Sequence, residues 1–433
     1  MNLADIEGGL LDDRTKGMPG GVTPFALSTI AAKHWNVLAE DLSLPLCVLQ
    51  QSAMDHNARW MRAFLESSNA VVAPHGKTTM SPQLFHRQLA DGAWAITVAN
   101  AQQIQVARHY GVQRIVLANQ LVGKQIIRFV LDELKRDPGF EFFCLVDSVA
   151  SVELLAAAAR EQGATRPIQV LLEGGFVGGR TGVRDPDTAM AVARACKAAA
   201  PFIALRGVEG FEGILSGKTP EEAAGKVRGF VDSLVAIARR CEDEGLFAPG
   251  PIILSAGGSG YYDIVVDRFN AAGLKGRAMV LTRSGCYLTH DHVGYAEHFR
   301  NLVKRSPHLH NLGEGPRPAL EVWAYVQSRP EKTRAFCTMG KRDVSYDQHL
   351  PVPEKWYRPS SNTRAPQMLG PGHKVVGLND QHCYMDVPAD SPLQVGDMVG
   401  FGISHPCLTF DKWQVICLVD DNYDVVGAVR TFF

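Results

Sequence analysis

The chain has 433 residues, with 44 Lys+Arg against 45 Asp+Glu for a net charge of −1, and is 46% apolar and 21% charged. That balance excludes a nucleic-acid binder working through a basic face, and an acidic solvating tail. The apolar fraction excludes disorder as the main state and suffices for a large core, and the length predicts one large and one smaller domain.

No run approaches the ~18 consecutive apolar residues of a spanning helix. Met1 to Glu7 is acidic and lacks the basic start and apolar run of a signal peptide. The nine cysteines are scattered, with no C-x-x-C pair, which suits reduced thiols better than a disulfide frame. A cytoplasmic, enzyme-sized protein without membrane or nucleic-acid partners is the expectation.

Residues 1 to 45 are mixed, with a glycine-rich stretch at Gly17–Gly21, and are expected to pack on the C-terminal domain. Beyond them, short runs rich in Val, Ile, Leu and Phe alternate with stretches of helical period. The runs are Ala70–Ala73, Ala95–Val98, Arg114–Leu117, Phe142–Val146, Ile168–Glu173, Leu205–Gly210, Ile252–Ala256 and Ala278–Arg283. They are continuously apolar, as parallel strands covered on both faces are. Helices are predicted at Met54–Leu65, Pro82–Leu89, Ala101–Tyr110, Gln125–Lys135, Val149–Arg160, Asp187–Ala198 and Pro220–Glu244. Eight strands alternating with helices predict a (β/α)8 barrel over 46–285, with a doubly wound sheet as the alternative.

After Gly285 the helical periods fade. Strand-like runs follow at Val322–Gln327, Arg334–Met339, Lys374–Leu378, His382–Val387, Met398–Ile403, Trp413–Val419 and Tyr423–Val429, separated by Gly and Pro clusters. Residues 286–433 thus read as a mostly antiparallel β domain.

Catalytic groups of a barrel sit at the C-terminal ends of its strands. The first strand is followed by Pro74-His75-Gly76-Lys77-Thr78. A lysine there is either an ordinary loop residue or, desolvated at the barrel mouth, an amine suited to Schiff-base chemistry. After the fifth strand, Arg180 stands in a glycine-rich loop as a solvated residue or as a partner for an anionic oxygen. After the seventh comes Gly257-Gly258-Ser259-Gly260 before a helix opening at Tyr261, a tight turn or an anion site built from free N–H groups. In the β domain, His405 and Cys407 flank Pro406 at the end of a strand. On extended backbone, residues i and i+2 project to one side, so the pair would face one metal; imidazole and thiolate suit zinc, and a chance pairing is the other reading. His382 reads as a core or strand residue.

These elements, from about Pro45 to Phe433, resemble the fold-type III pyridoxal-phosphate enzymes, in the D-serine dehydratase and D-threonine aldolase group. The Pro-His-x-Lys-Thr segment and the late His-x-Cys are the most specific pieces. The resemblance implies that Lys77 carries pyridoxal 5'-phosphate with His75 beside it. It implies further that Arg180 meets the phenolic oxygen and that Gly258, Ser259 and Gly260 cradle the phosphate. Tyr287 of the Gly-x-Tyr-like segment Gly285–Tyr287 would line the site. Where relatives carry a tyrosine near the pyridine ring, this chain has Glu209 and Phe211, and a carboxylate there would hold the pyridine nitrogen protonated.

Dehydratases of the group carry His-x-Cys and aldolases His-x-Asp. The expected function is therefore a metal-dependent (zinc) D-serine dehydratase, taking D-serine or a related D-3-hydroxyamino acid to a 2-oxo acid and ammonia. D-threonine aldolase and D-threo-3-hydroxyaspartate dehydratase are the nearest alternatives. A racemase would need a second base and no metal, and a non-catalytic pyridoxal-phosphate carrier needs only the barrel. Analogy at the level of fold implies a homodimer.

Overall fold

The computed structural model describes residues 1–258, 260–361, 363 and 365–433; the expected phosphate contact Ser259 lies outside them. Eight parallel strands follow one another around a barrel. They are β1 (Val71–Val72), β2 (Ile96–Val98), β3 (Arg114–Gln120), β4 (Glu141–Val146), β5 (Ile168–Gly174), β6 (Ile203–Gly210), β7 (Ile252–Ser255) and β8 (Ala278–Thr282). β8 pairs with β1. The ring closes between β1 and β2 through Trp94 N–H to Val72 O at 2.8 Å and Thr97 N–H to Pro74 O at 2.9 Å.

All eight expected strands are present, and burial explains why they were legible. Ala73, Val116, Phe143, Leu171, Ile253 and Leu281 fill the barrel interior as one cluster. The opposite faces of the same strands pack under the helices, so neither face is free to be polar. The helices begin where short polar side chains cap them: Asn100, Ser148, Asp185 and Thr219 each accept from the backbone N–H three residues on. Pro186 and Pro220 follow the last two caps, where no N–H is required.

The C-terminal unit is an antiparallel sheet around Leu320–Glu331, which pairs with Met398–Gly402 and Arg334–Cys337. Leu46–Gln50 joins this sheet rather than the barrel, antiparallel to Leu320–Glu331 and parallel to Val415–Val419. The segment before it packs there too, with Ile6, Leu11, Leu27, Ile30 and Val37 in one apolar cluster with Val415 and Val425. Among the elements absent from the expectation are the strand Val352–Tyr357 and the helix Gly294–Arg305. The helix's large apolar residues Tyr295, Phe299, Leu302 and Val303 share one face, of which only Leu302 is fully buried. Among the described residues no helix is long and apolar enough to cross a membrane.

Candidate active site

Lys77 sits in the one-turn helix Gly76–Thr78 just past β1. Two glycines clamp that turn. A Cβ on Gly76 would lie 2.8 Å from the Phe85 ring, and one on Gly285 would lie 2.7 Å from Thr78 Oγ1 and 2.8 Å from the His75 carbonyl oxygen. Held this way, Lys77 points into a cavity at the C-terminal mouth of the barrel, about 560 Å³ with open solvent at its mouth included. His75, Lys77, Arg180, Glu209 and Gly258, drawn from four strand ends, line it together. Burial and the adjacent Lys77 charge hold the His75 imidazole well below its usual range, hence neutral.

The floor is built from charged groups that face each other across strands. Register sets Glu173 of β5 and Ser255 of β7 on either side of Glu209 of β6. Glu209 is 1% exposed and forms an ion pair with Arg283, whose Nη2 also donates to the Gly210 carbonyl at 2.9 Å. Burial pushes the Glu209 carboxyl up to about 8, against the pull of the Arg283 charge. Glu173 accepts from Thr181 at 2.8 Å and Gln120 at 2.6 Å, and burial raises its pKa as well. The Arg180 guanidinium lies over the Phe211 ring, 4.3 Å from its centroid, a cation–π contact that fixes its direction.

The turn after β7 is tight: Gly257 has φ +85, backbone that favours glycine. Its first amides are engaged. Gly257 and Gly258 N–H donate to the Glu212 carboxylate at 2.9 and 3.3 Å. A Cβ on Gly260 would meet the His298 ring at 2.8 Å, so a glycine there admits that ring. Tyr287 stands apart from the Lys77 cavity, in a neighbouring cleft with Met61, Tyr262 and Phe299, and its hydroxyl bonds the Gln88 side chain.

His405 and Cys407 come together by another route than strand alternation. Pro406 is helical (φ −53, ψ −39) and Cys407 opens the turn Cys407–Phe410, so the extended geometry expected there is replaced by a helical start, for which proline is well suited. The imidazole and the sulfur still form a hydrogen bond, which raises the His405 pKa to about 9. The Cys407 thiol is held well below its usual range, first by a hydrogen bond from Cys286 and then by His405 and Thr78. Cys407 Sγ lies 3.7 Å from Cys286 Sγ and 3.5 Å from Thr78 Oγ1. The metal-suited pair therefore abuts the turn that carries Lys77. Among the described residues no three His, Cys, Asp or Glu side chains converge as a preformed metal cluster. His382 is exposed on the hairpin after Lys374–Leu378, away from this pair.

Sequence reasoning missed Glu173, Glu212, Arg283, Cys286 and Asp347. The first and third carried a usable signal, a charge at the end of an otherwise apolar buried strand. Asp347 carried none, because it meets His405 across 58 residues of chain.

The alanine racemase N-terminal domain family matches residues 49–260, and the serine dehydratase domain family matches residues 319–419. The chain is 24% identical to a D-threonine aldolase of Arthrobacter sp over 384 residues, 87% of this chain and 89% of that one. It is 29% identical over 152 residues to a D-threo-3-hydroxyaspartate dehydratase of Delftia sp., 35% of this chain and 39% of the other. Its fold matches a D-threonine aldolase structure from Filomicrobium marinum (TM-score 0.73, 23% identity, covering 90% of this chain and 95% of that one). It also matches D-threo-3-hydroxyaspartate dehydratase structures. One is a metal-free form in which a cysteine is replaced by alanine (TM-score 0.69, 20% identity, 92% and 99% coverage). In another, a histidine two positions earlier is replaced by alanine (TM-score 0.70, 19% identity, 93% and 97% coverage). A racemase-type barrel joined to a serine dehydratase domain places this chain in the fold-type III pyridoxal-phosphate enzymes, in the D-threonine aldolase and dehydratase group.

Proposed function

We propose that this chain is a pyridoxal-phosphate- and zinc-dependent lyase that eliminates water from D-3-hydroxyamino acids, leaving a 2-oxo acid and ammonia. D-Serine is the simplest such substrate, and D-threo-3-hydroxyaspartate presents the same β-hydroxyl. The observation that carries the reading is the 3.5 Å contact between Thr78 Oγ1, beside Lys77, and Cys407 Sγ. It sets an amine suited to act at Cα next to a thiolate–imidazole pair suited to hold a metal at the β-oxygen.

The residues fit both groups. At or beside the cavity, His75 Nδ1, Ser255 Oγ and Ser284 Oγ are buried without a hydrogen-bond partner among the described residues, as donors and acceptors awaiting a polar ligand are. Imidazole and thiolate are a zinc donor set, and two protein ligands leave positions open for substrate oxygen. The D-threo-3-hydroxyaspartate dehydratase structures with a cysteine replaced, in a metal-free form, and with a histidine two positions earlier replaced support the same assignment.

Lys77 would hold the cofactor and, once displaced by substrate, serve as the base that removes the Cα proton. Arg180, aimed by Phe211, offers its charge to an anionic oxygen of the cofactor. Glu209 faces Arg283 at the buried floor, and burial raises its carboxyl to about 8, so it is a group that can take up or give a proton there near neutral pH. His75 stays neutral and adds no second cation beside Lys77. When bound, pyridoxal phosphate supplies an electron sink for charge at Cα, and zinc a Lewis acid at the β-oxygen. A homodimer is part of the proposal by analogy of fold, and light scattering tests it.

A second reading, retro-aldol cleavage, is favoured by the alignment with D-threonine aldolase along 87% of this chain. Product analysis with D-serine, D-threonine and D-threo-3-hydroxyaspartate, with and without chelator, separates the two. A 2-oxo acid with ammonia, lost on chelation and restored by zinc, is the expected result. Glycine with an aldehyde would establish the aldolase.

A further inference from the structure

The segment Ser345–His349 lies across the His405–Cys407 motif, and alternate residues of it reach down. Ser345 N–H donates to Thr409 Oγ1 at 2.9 Å, and Ser345 Oγ accepts from His405 N–H at 3.3 Å. Asp347 Oδ2 lies 2.7 Å from His405 Nδ1. His349 Nδ1 lies 3.1 Å from Ser404 Oγ. Ser345, Asp347 and His349 thus make Ser-x-Asp-x-His a strap that grips the motif at four points.

We infer that Asp347 is the positioning residue of the metal pair, fixing the His405 ring so that Nε2 is the nitrogen offered to zinc. The inference rests on the metal reading above. An ionised carboxylate can only accept, so a 2.7 Å contact places a hydrogen on Nδ1, and Nε2 is the nitrogen left to meet Cys407 here and zinc once its own proton is displaced. The backbone clasp at Ser345 fixes the other end of the same residue, so both the main chain and the ring of His405 are held from the strap. A carboxylate behind a ligating histidine raises its basicity, and loss of such a partner typically weakens metal binding 10–100-fold.

The test is zinc(II) alone, titrated into the full chain against the chromophoric chelator 4-(2-pyridylazo)resorcinol, for the parent protein, Asp347→Ala, Asp347→Asn and Cys407→Ser. The expected order of affinity is parent, then Asp347→Asn, then Asp347→Ala, the last weakened about 10–100-fold. Asparagine still accepts from Nδ1–H but brings no charge, so partial rescue is specific to positioning and would not follow from a structural defect. Asp347→Asn is isosteric and its side chain is 34% exposed, so it keeps the test alive if the alanine variant misfolds. Parent-like affinity in both Asp347 variants, with Cys407→Ser impaired, overturns the inference and spares the metal reading. Equal affinity in the parent and Cys407→Ser overturns both.

Discussion

At the scale of single residues, the site separates groups that act from groups that keep the others in state. Lys77 is exposed to the cavity, so Lys77→Ala should shift stability by no more than about 0.5 kcal/mol. It should nevertheless abolish covalent retention of pyridoxal phosphate after borohydride reduction. Retention by the variant, read by mass spectrometry, would move the attachment point elsewhere. His290 illustrates the second kind. It is buried with φ +49, and burial lowers its pKa from 6.5 to about 4. The native state thus binds a proton less readily than the unfolded chain. Its contribution is complete above pH 6.5 and is lost as pH falls through 4. Asparagine tolerates that backbone, so His290→Asn isolates the ionisation. Its stability deficit in denaturant melts should be largest near pH 8 and should shrink by pH 4.5, with a total swing of up to about 3 kcal/mol. A deficit independent of pH would place the cost in packing alone.

At the scale of elements, close approach around the Lys77 turn is the controlling feature. A methyl on Gly285 would press on Thr78 Oγ1, the His75 carbonyl and His75 Cβ at 2.7 to 2.9 Å. Gly285→Ala should therefore cost about 1–3 kcal/mol and raise the pyridoxal-phosphate dissociation rate. Loss of stability with an unchanged rate would mean that the barrel gives way before the turn does. The same scale explains what the sequence disclosed. Barrel strands were legible because burial on both faces writes an unbroken apolar run, and Lys77 and Arg180 because each follows such a run. Leu46–Gln50 is apolar as well, but its partners, Leu320–Glu331 and Val415–Val419, are remote in sequence, so the run could not say which sheet it joins. Cys407 was read on extended backbone because no local signal distinguished a strand end from Pro406 opening a helical turn. The strap at Ser345–His349 has no period or composition of its own, and only the folded chain lays it on His405.

At the scale of the whole molecule, the two units meet beside the Lys77 turn. Gln83, in the helix Pro82–Ala90, accepts from Arg430 N–H at 2.8 Å and donates to the Ala428 carbonyl at 3.2 Å. Two residues on, Phe432 N–H donates to the Met80 carbonyl at 2.9 Å. Met80 itself closes the Lys77 turn through its N–H to Gly76 O at 2.8 Å, with φ +40, a conformation that costs energy in a non-glycine residue and needs outside support. The strand Val425–Arg430 and its continuation thus brace the main chain that ends the lysine turn. Gln83→Ala removes both side-chain bonds and should cost about 1–2 kcal/mol. It should also speed loss of pyridoxal phosphate, because the brace on Met80 is loosened along with the interface. Melting curves and cofactor release followed in one buffer decide the matter. A lower melting temperature with unaltered release would show that docking of the β unit stabilises the barrel without reaching Lys77. A coupled change would make the C-terminal strand part of what holds the cofactor site in shape.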